Sequence, residues 1–175
     1  IDALAVLREL APILPTLPGA YVLLAHRAPE VLADSYRELL ASNIQPGIRK
    51  ELIGGVGVTR TALAVEIAEF ALQNDPSPDV RLQSVFALTI GDAQAGERAL
   101  QQILDDPAFA GDVSRLDATI FALQNLEVAG HNNAVDRIGQ RLRSMPLSAA
   151  SRQRLEAMLS RGLPGGQTSV PAPSK

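Results

Sequence analysis

The sequence predicts an all-α fold of about nine or ten short amphipathic helices packed as helical hairpins. Apolar residues recur at helical spacing along almost the whole chain, and Pro, Gly and Asp stand where such helices would begin and end. Hydrophobic residues make up 46% of the chain but aromatic residues only 3%. A core of small aliphatic side chains suits closely packed helices better than a β-sandwich, which favours aromatic and β-branched residues.

A chain of 175 residues fits one domain with one core. We assign residues 1–162 to a single all-α domain. Residues 163–175 are rich in Pro, Gly and Ser and offer no apolar stripe to bury, so they are predicted to form a flexible tail.

The first five helices are predicted from their first-turn residues and apolar stripes. The first runs from Asp2 to Ala11, before a run of prolines, and the second begins near Pro18. The third opens at Pro29 and closes at Asn43. The fourth opens at Pro46 and is expected to end or kink at Gly54, Gly55 and Gly57, and the fifth spans Thr59 to Asn74.

The remaining helices follow the same logic. Ser77 and Pro78 open the sixth helix, which stops at Gly91. Asp92 opens the seventh and Asp112 the eighth, with the respective ends at Asp106 and Gly130. The last two are predicted to end at Pro146 and at Gly162. FAL occurs at Phe86–Leu88 and Phe121–Leu123, 35 positions apart, but FALQN recurs at a spacing of 51, so the sequence alone does not fix one repeat length.

Several classes of chemistry are excluded or disfavoured by composition. The chain has no cysteine, so disulfides, thiolate nucleophiles and Cys-type zinc sites are ruled out. A net charge of −3 argues against general nucleic-acid binding, and no apolar run is long enough for a membrane span. The GGVGVT motif lacks the lysine of a phosphate loop, since Val58 stands in its place. No cofactor is predicted, and the sequence does not assign a compartment.

One candidate catalytic set can be named. His131 is the best general base on offer, because histidine alone has an unperturbed pKa near neutrality. Glu66 and Arg60 would orient a small acidic substrate beside it. For His131 and Glu66 the alternative is a structural role. His131 lies in a polar loop that caps a helix, and Glu66 belongs with Glu69 to a solvated helical face.

The C-terminal helices carry an excess of arginine. Arg137, Arg141, Arg143, Arg152 and Arg154 are candidate partner-binding residues, since the guanidinium group suits carboxylate or phosphate. We expect a protein partner, for which acidic side chains would be the complement. Ordinary solvated helix faces remain the alternative, because fourteen of the sixteen basic residues of this chain are arginines.

Two stretches, LLAHRAPEVLADSYRELL (23–40) and IQPGIRKELIGGVGV (44–58), are similar to the carboxymuconolactone decarboxylase and alkylhydroperoxidase-like superfamily. The resemblance covers about Pro15 to Leu72 and implies an all-α homo-oligomer. In the redox branch of that superfamily, a Cys-x-x-Cys-x-x-x-His motif follows. Thr59, Ala62 and Glu66 stand at the matching positions here, so cysteine-dependent peroxidase activity is excluded.

The helix pairs from Ser77 to Met145 also resemble HEAT-type repeats, with DVR at Asp79–Arg81. This resemblance implies a scaffold that binds a partner. Two functions therefore stay open. The first is a non-enzymatic binding or assembly domain, and the second is a cofactor-free decarboxylase or lyase that uses His131.

Overall fold

The computed structural model describes residues 36–37, 40–41 and 45–161 of the chain. In this part every regular element is an α-helix, which confirms the predicted fold class. The predicted helices before residue 36 and the tail at 163–175 lie outside the described residues. Between residues 45 and 161 the structure has eight helices: α1 (Pro46–Gly57), α2 (Ala62–Asn74), α3 (Pro78–Gly91), α4 (Ala93–Asp105), α5 (Pro107–Ala110), α6 (Val113–Val128), α7 (Asn132–Arg143) and α8 (Ala149–Arg161).

The helices stack in two layers that follow chain order. One layer holds α1, α3, α6 and α8, and the other holds α2, α4 and α7, with the short α5 in the connection between α4 and α6. Extensive packing among the described helices joins only elements that are one to three apart in sequence. Among the described helices, the first and the last, α1 and α8, share no extensive contact, unlike in a closed bundle.

Contacts between helices of the same layer show how these helices are oriented relative to each other. Asp79 meets Arg115 and Thr89 meets Asn125, and in both pairs the separation is 36 residues. Between α4 and α7, Glu97 meets Arg137 and Asp105 meets Arg141. Because the contacts advance along both helices together, helices of one layer run parallel to each other.

The short connections make consecutive helices antiparallel, and the helix starts have a local cause. Asp92, Asp106 and Asp112 accept hydrogen bonds from backbone N–H groups of the first turns of α4, α5 and α6. Thr61 does the same for α2, by accepting from the Ala64 N–H at 3.2 Å. Ser77 occupies the N-cap position of α3, but its side chain makes no capping hydrogen bond.

Small residues let neighbouring helices approach closely, both within a layer and between layers. A methyl group at Gly57 would lie 2.6 Å from the Cβ of Ala87, and one at Gly96 would lie 2.6 Å from the Cα of Thr89. The helix ends at Gly57, the last of the three glycines where the end was expected, and α1 continues through Gly54 and Gly55. These glycines serve packing against α3, and the motif is helical rather than a phosphate loop.

The two spacings of the FAL motif also have a structural reason. Phe86–Leu88 and Phe121–Leu123 occupy α3 and α6, which are neighbours in one layer. Phe70 to Asn74 closes α2, in the other layer. The spacing of 35 therefore relates two neighbouring hairpins, whereas the spacing of 51 relates helices of different layers.

Candidate functional site

Tyr36, Arg49 and Asp75 form a buried network that includes two charged groups. Nε and Nη2 of Arg49 donate to the two carboxylate oxygens of Asp75 at 2.6 and 2.9 Å. The Tyr36 hydroxyl donates to the same carboxylate at 2.8 Å, and the Ser77 N–H donates at 2.9 Å. All three residues are 2% exposed or less, so the network has no opening for a substrate.

Burial and pairing shift the pKa values of this network in opposite directions. Burial alone would raise the pKa of Asp75, but hydrogen bonds from Arg49, the Ser77 N–H and Tyr36 outweigh it, and the pKa lies below its usual value. Burial first, and then the hydrogen bond to the Asp75 carboxylate, raises the pKa of Tyr36 far above its usual value. The network is thus held as an ion pair with a neutral phenol.

A second arginine–aspartate pair repeats this arrangement one hairpin later. Arg81 stands at the fourth position of α3, as Arg49 does in α1, and its Nη2 donates to Asp106 at 2.7 Å. Asp75 and Asp106 directly follow α2 and α4. The recurring Pro-x-x-Arg, with an aspartate 26 and 25 residues later, is a signal in the sequence that the periodicity of apolar residues does not bring out.

His131 lines an open groove of about 530 Å³. The residues that share this groove come from α4, from the α6–α7 turn and from the first turns of α7; they are Glu97, Ala129, Gly130, Asn132, Asn133, Ala134 and Arg137. His131 is the N-cap residue of α7, and its carbonyl accepts from the N–H groups of Ala134 and Val135. Its side chain makes no capping hydrogen bond.

The other two residues of the predicted catalytic set lie elsewhere. Glu66 is on α2, where Oε1 accepts from Nη2 of Arg37 at 2.7 Å. Arg60 is exposed in the turn between α1 and α2, with a left-handed φ of 53°. Neither lines the groove beside His131. Glu69, the neighbour of Glu66 on the same helix, ion-pairs instead with Arg98.

Three of the five predicted partner-binding arginines form ion pairs between helices. Arg137 pairs with Glu97, and Arg141 donates to Asp105 at 2.5 Å and to the Leu104 carbonyl at 2.9 Å. These contacts join α7 to α4. Arg143 donates from Nε to Glu156 at 2.8 Å and so joins α7 to α8. Carboxylates of the same chain therefore balance most of the positive charge of these three arginines.

The other two arginines have no carboxylate within ion-pair distance in the described region. Arg152 donates to the carbonyls of Arg143 and Met145 at the end of α7. Arg154 lies over the ring of Phe121, with its guanidinium carbon 5.1 Å from the ring centre. Phe121 is 48% exposed, so this contact is on the surface.

Asp117 lies on α6, and the charge of Arg154 on α8 affects its pKa. Partial burial works to raise the pKa of Asp117, but hydrogen bonds from Ser148 and Ser151 and the charge of Arg154 lower it overall. Its carboxylate accepts from the Ser148 N–H at 3.0 Å and so fixes the start of α8 against α6. Asp117 therefore serves the α6–α8 packing and does not ion-pair with Arg154.

Metal sites and membrane spans are absent from the described part of the chain. Within residues 36–37, 40–41 and 45–161, His, Asp and Glu form no group of three that could hold a metal ion. No helix in that region is both long and apolar enough to cross a membrane. No family model, curated protein or solved structure matches this chain.

Proposed function

We propose that this chain is a non-enzymatic helical scaffold that binds a protein partner. The observation that supports it is the open, two-layered stack in which helices of one layer run parallel. Arrays of this kind offer continuous surfaces built from successive hairpins, which is how helical repeat proteins bind partners. The proposal extends the HEAT-type resemblance of residues 77–145 and does not require the superfamily resemblance of the first half.

A peptide selection tests the proposal directly. A library of random 12-residue peptides displayed on phage would be selected against the immobilised chain. A binding scaffold predicts that a shared motif emerges and that synthetic peptides with this motif bind in the micromolar range. Absence of any enriched motif after repeated rounds would contradict the proposal.

A second candidate function is the cofactor-free decarboxylase or lyase. It is favoured by one observation, the position of His131 in an open groove of about 530 Å³. A panel of lactones and keto acids would be incubated with the wild type and with His131→Ala. Turnover that is lost in the variant would support the enzyme and reject the scaffold; no turnover by either protein would leave the scaffold as the better account.

Light scattering on a sizing column separates the two architectures that the resemblances imply. An open array predicts an elongated monomer, with a hydrodynamic radius larger than that of a sphere of equal mass. The alkylhydroperoxidase-like resemblance implies a compact homo-oligomer. A compact trimer or hexamer would count against the open array in solution.

A further inference from the structure

The neighbouring parallel helices α6 and α8 carry two pairs of apolar and cationic side chains. Phe121 and Val128 are seven residues apart on α6, and Arg154 and Arg161 are seven residues apart on α8. A spacing of seven places each pair on one face of its helix, about 10.5 Å apart along the axis. We call these four residues the α6–α8 surface.

The register between the two helices is fixed by contacts. Arg154 lies over Phe121, and Arg161 ion-pairs with Glu127, the neighbour of Val128, at 3.4 Å. Phe121 with Arg154 and Val128 with Arg161 are both separated by 33 positions. The surface therefore repeats one apolar–cationic pair every two helical turns.

These side chains are accessible. Phe121 is 48% exposed and Val128 is 88% exposed, the highest value of any large apolar residue in the described region. Arg161 is 65% exposed and its ion pair is long. Arg154 has no acidic side chain within 4 Å among the described residues. Apolar groups and a cation that forms no ion pair in the described region are thus presented together.

We propose that the α6–α8 surface binds an acidic amphipathic helix of a partner protein, a proposal that rests on the scaffold function. Apolar side chains of that helix would cover Phe121 and Val128, and its carboxylates would pair with Arg154 and Arg161. Arg154 has no carboxylate within ion-pair distance in the described region, and Arg161, which pairs with Glu127 at 3.4 Å, keeps a guanidinium group that is 65% exposed. Among the five predicted partner-binding arginines, Arg154 is therefore the candidate. Arg137, Arg141 and Arg143 already form ion pairs within the chain, and Arg152 donates hydrogen bonds to carbonyl groups.

A protein partner fits these features better than a nucleic acid does. Nucleic-acid sites use extended basic patches that neutralise many phosphates, and the chain has a net charge of −3. The α6–α8 surface offers two cations together with two exposed apolar side chains. The exposed Phe121 and Val128 would remain uncovered by a phosphate backbone.

The test uses a fluorescein-labelled helical peptide of 18 residues with Leu on one face and Glu on the other, followed by fluorescence anisotropy. A peptide with Lys in place of Glu is the charge control. The wild type is expected to bind the Glu peptide about tenfold more tightly than the Lys peptide, since opposite charges meet at the surface. Equal binding of the two peptides would overturn the proposal.

Two variants locate the binding to the surface. Arg154→Glu is expected to weaken binding about tenfold and Val128→Ser about threefold. Lys50→Glu makes the same charge change on α1, and Val58→Ser is the matched apolar change; both side chains are exposed. These two controls are expected to stay within about twofold of the wild type. Melting temperatures of all four variants show whether any of them fails to fold.

The outcomes separate this proposal from the scaffold function. Peptide binding that Arg154→Glu and Val128→Ser leave unchanged would overturn the α6–α8 surface, while the scaffold would stand. A phage selection without an enriched motif, together with no binding of the Glu peptide, would reject both. Binding of a 20-base-pair DNA duplex that Arg154→Glu abolishes would assign the surface to a polyanion and overturn the protein partner.

Discussion

Arg49 and Asp75 form a buried, bidentate ion pair that joins the start of α1 to the residue directly after α2, 26 positions later. The side chains are 3% and 0% exposed. A buried pair of this kind adds little when complete, but removal of one member leaves the other charge without compensation. The pair therefore makes the α1–α2 hairpin intolerant of change at either residue.

The first prediction concerns Asp75→Asn, which preserves shape and removes the charge. We expect the free energy of unfolding to fall by roughly 3–5 kcal/mol, because Arg49 stays buried without its counterion. Urea denaturation measures this. Asp105→Asn is the matched control, since Asp105 pairs with Arg141 but is 70% exposed, and the expected loss is below about 1 kcal/mol. Equal losses in the two variants would contradict the structural role of the buried pair.

The second prediction is a pH dependence. The folded-state pKa of Asp75 is lowered, so its ionised form stabilises the fold above its ordinary pKa of about 3.9. That stability is lost as the pH falls from this value through the folded-state pKa. The difference in melting temperature between wild type and Asp75→Asn should therefore be largest near neutral pH and shrink in acid. A difference that stays constant down to pH 2 would be inconsistent with a lowered pKa.

The third prediction tests close packing between α1 and α3. Gly57→Ala places a methyl group 2.6 Å from the Cβ of Ala87, and we expect a loss of roughly 1–3 kcal/mol from overpacking. Gly47→Ala is the control, because nothing lies within 4 Å of its added methyl group. That change should be neutral or stabilising by up to about 1 kcal/mol. Ala87→Gly in the Gly57→Ala background should recover part of the loss, and its failure to do so would place the strain elsewhere.

The fourth prediction concerns the range over which a defect spreads. Leu155 is fully buried on α8, a helix that packs mainly on α6 and α7. Leu155→Asp is expected to speed amide hydrogen exchange in α7 and α8 and to leave α1 to α3 protected, since distant hairpins share no extensive contact. Hydrogen exchange followed by mass spectrometry measures this. Uniform loss of protection across all helices would indicate one closed core.

Local features of the fold are predictable from the sequence because their causes are local. Pro46 and Pro78 begin α1 and α3 as expected, and Asp92 and Asp112 cap α4 and α6 through residues two or three positions away. A hydrogen bond over three residues depends only on the chain nearby. The all-helical class follows from the same short-range patterns.

The partners of the site residues depend on how the hairpins pack against each other. Short-range sequence patterns do not reveal this packing. The sequence places Arg49 only within a helix, yet it meets a carboxylate 26 positions away, and Arg141 meets one 36 positions away. The arginine excess of the C-terminal helices is visible in the sequence, but which of these arginines have partners within the chain is not. Only the register in which the helices stack gives Arg141 a carboxylate partner and leaves Arg154 without an ion pair in the described region.

The parallel orientation of the helices within each layer has an evolutionary consequence. Because the α3–α4 and α6–α7 hairpins meet through equivalent faces at a separation of 36 residues, a duplicated hairpin inserted between α4 and α6 would meet the same kind of neighbour on both sides. Gain or loss of one such unit would change the length of the molecule without requiring a new core. The architecture is therefore free to vary in length between descendants of one ancestral chain.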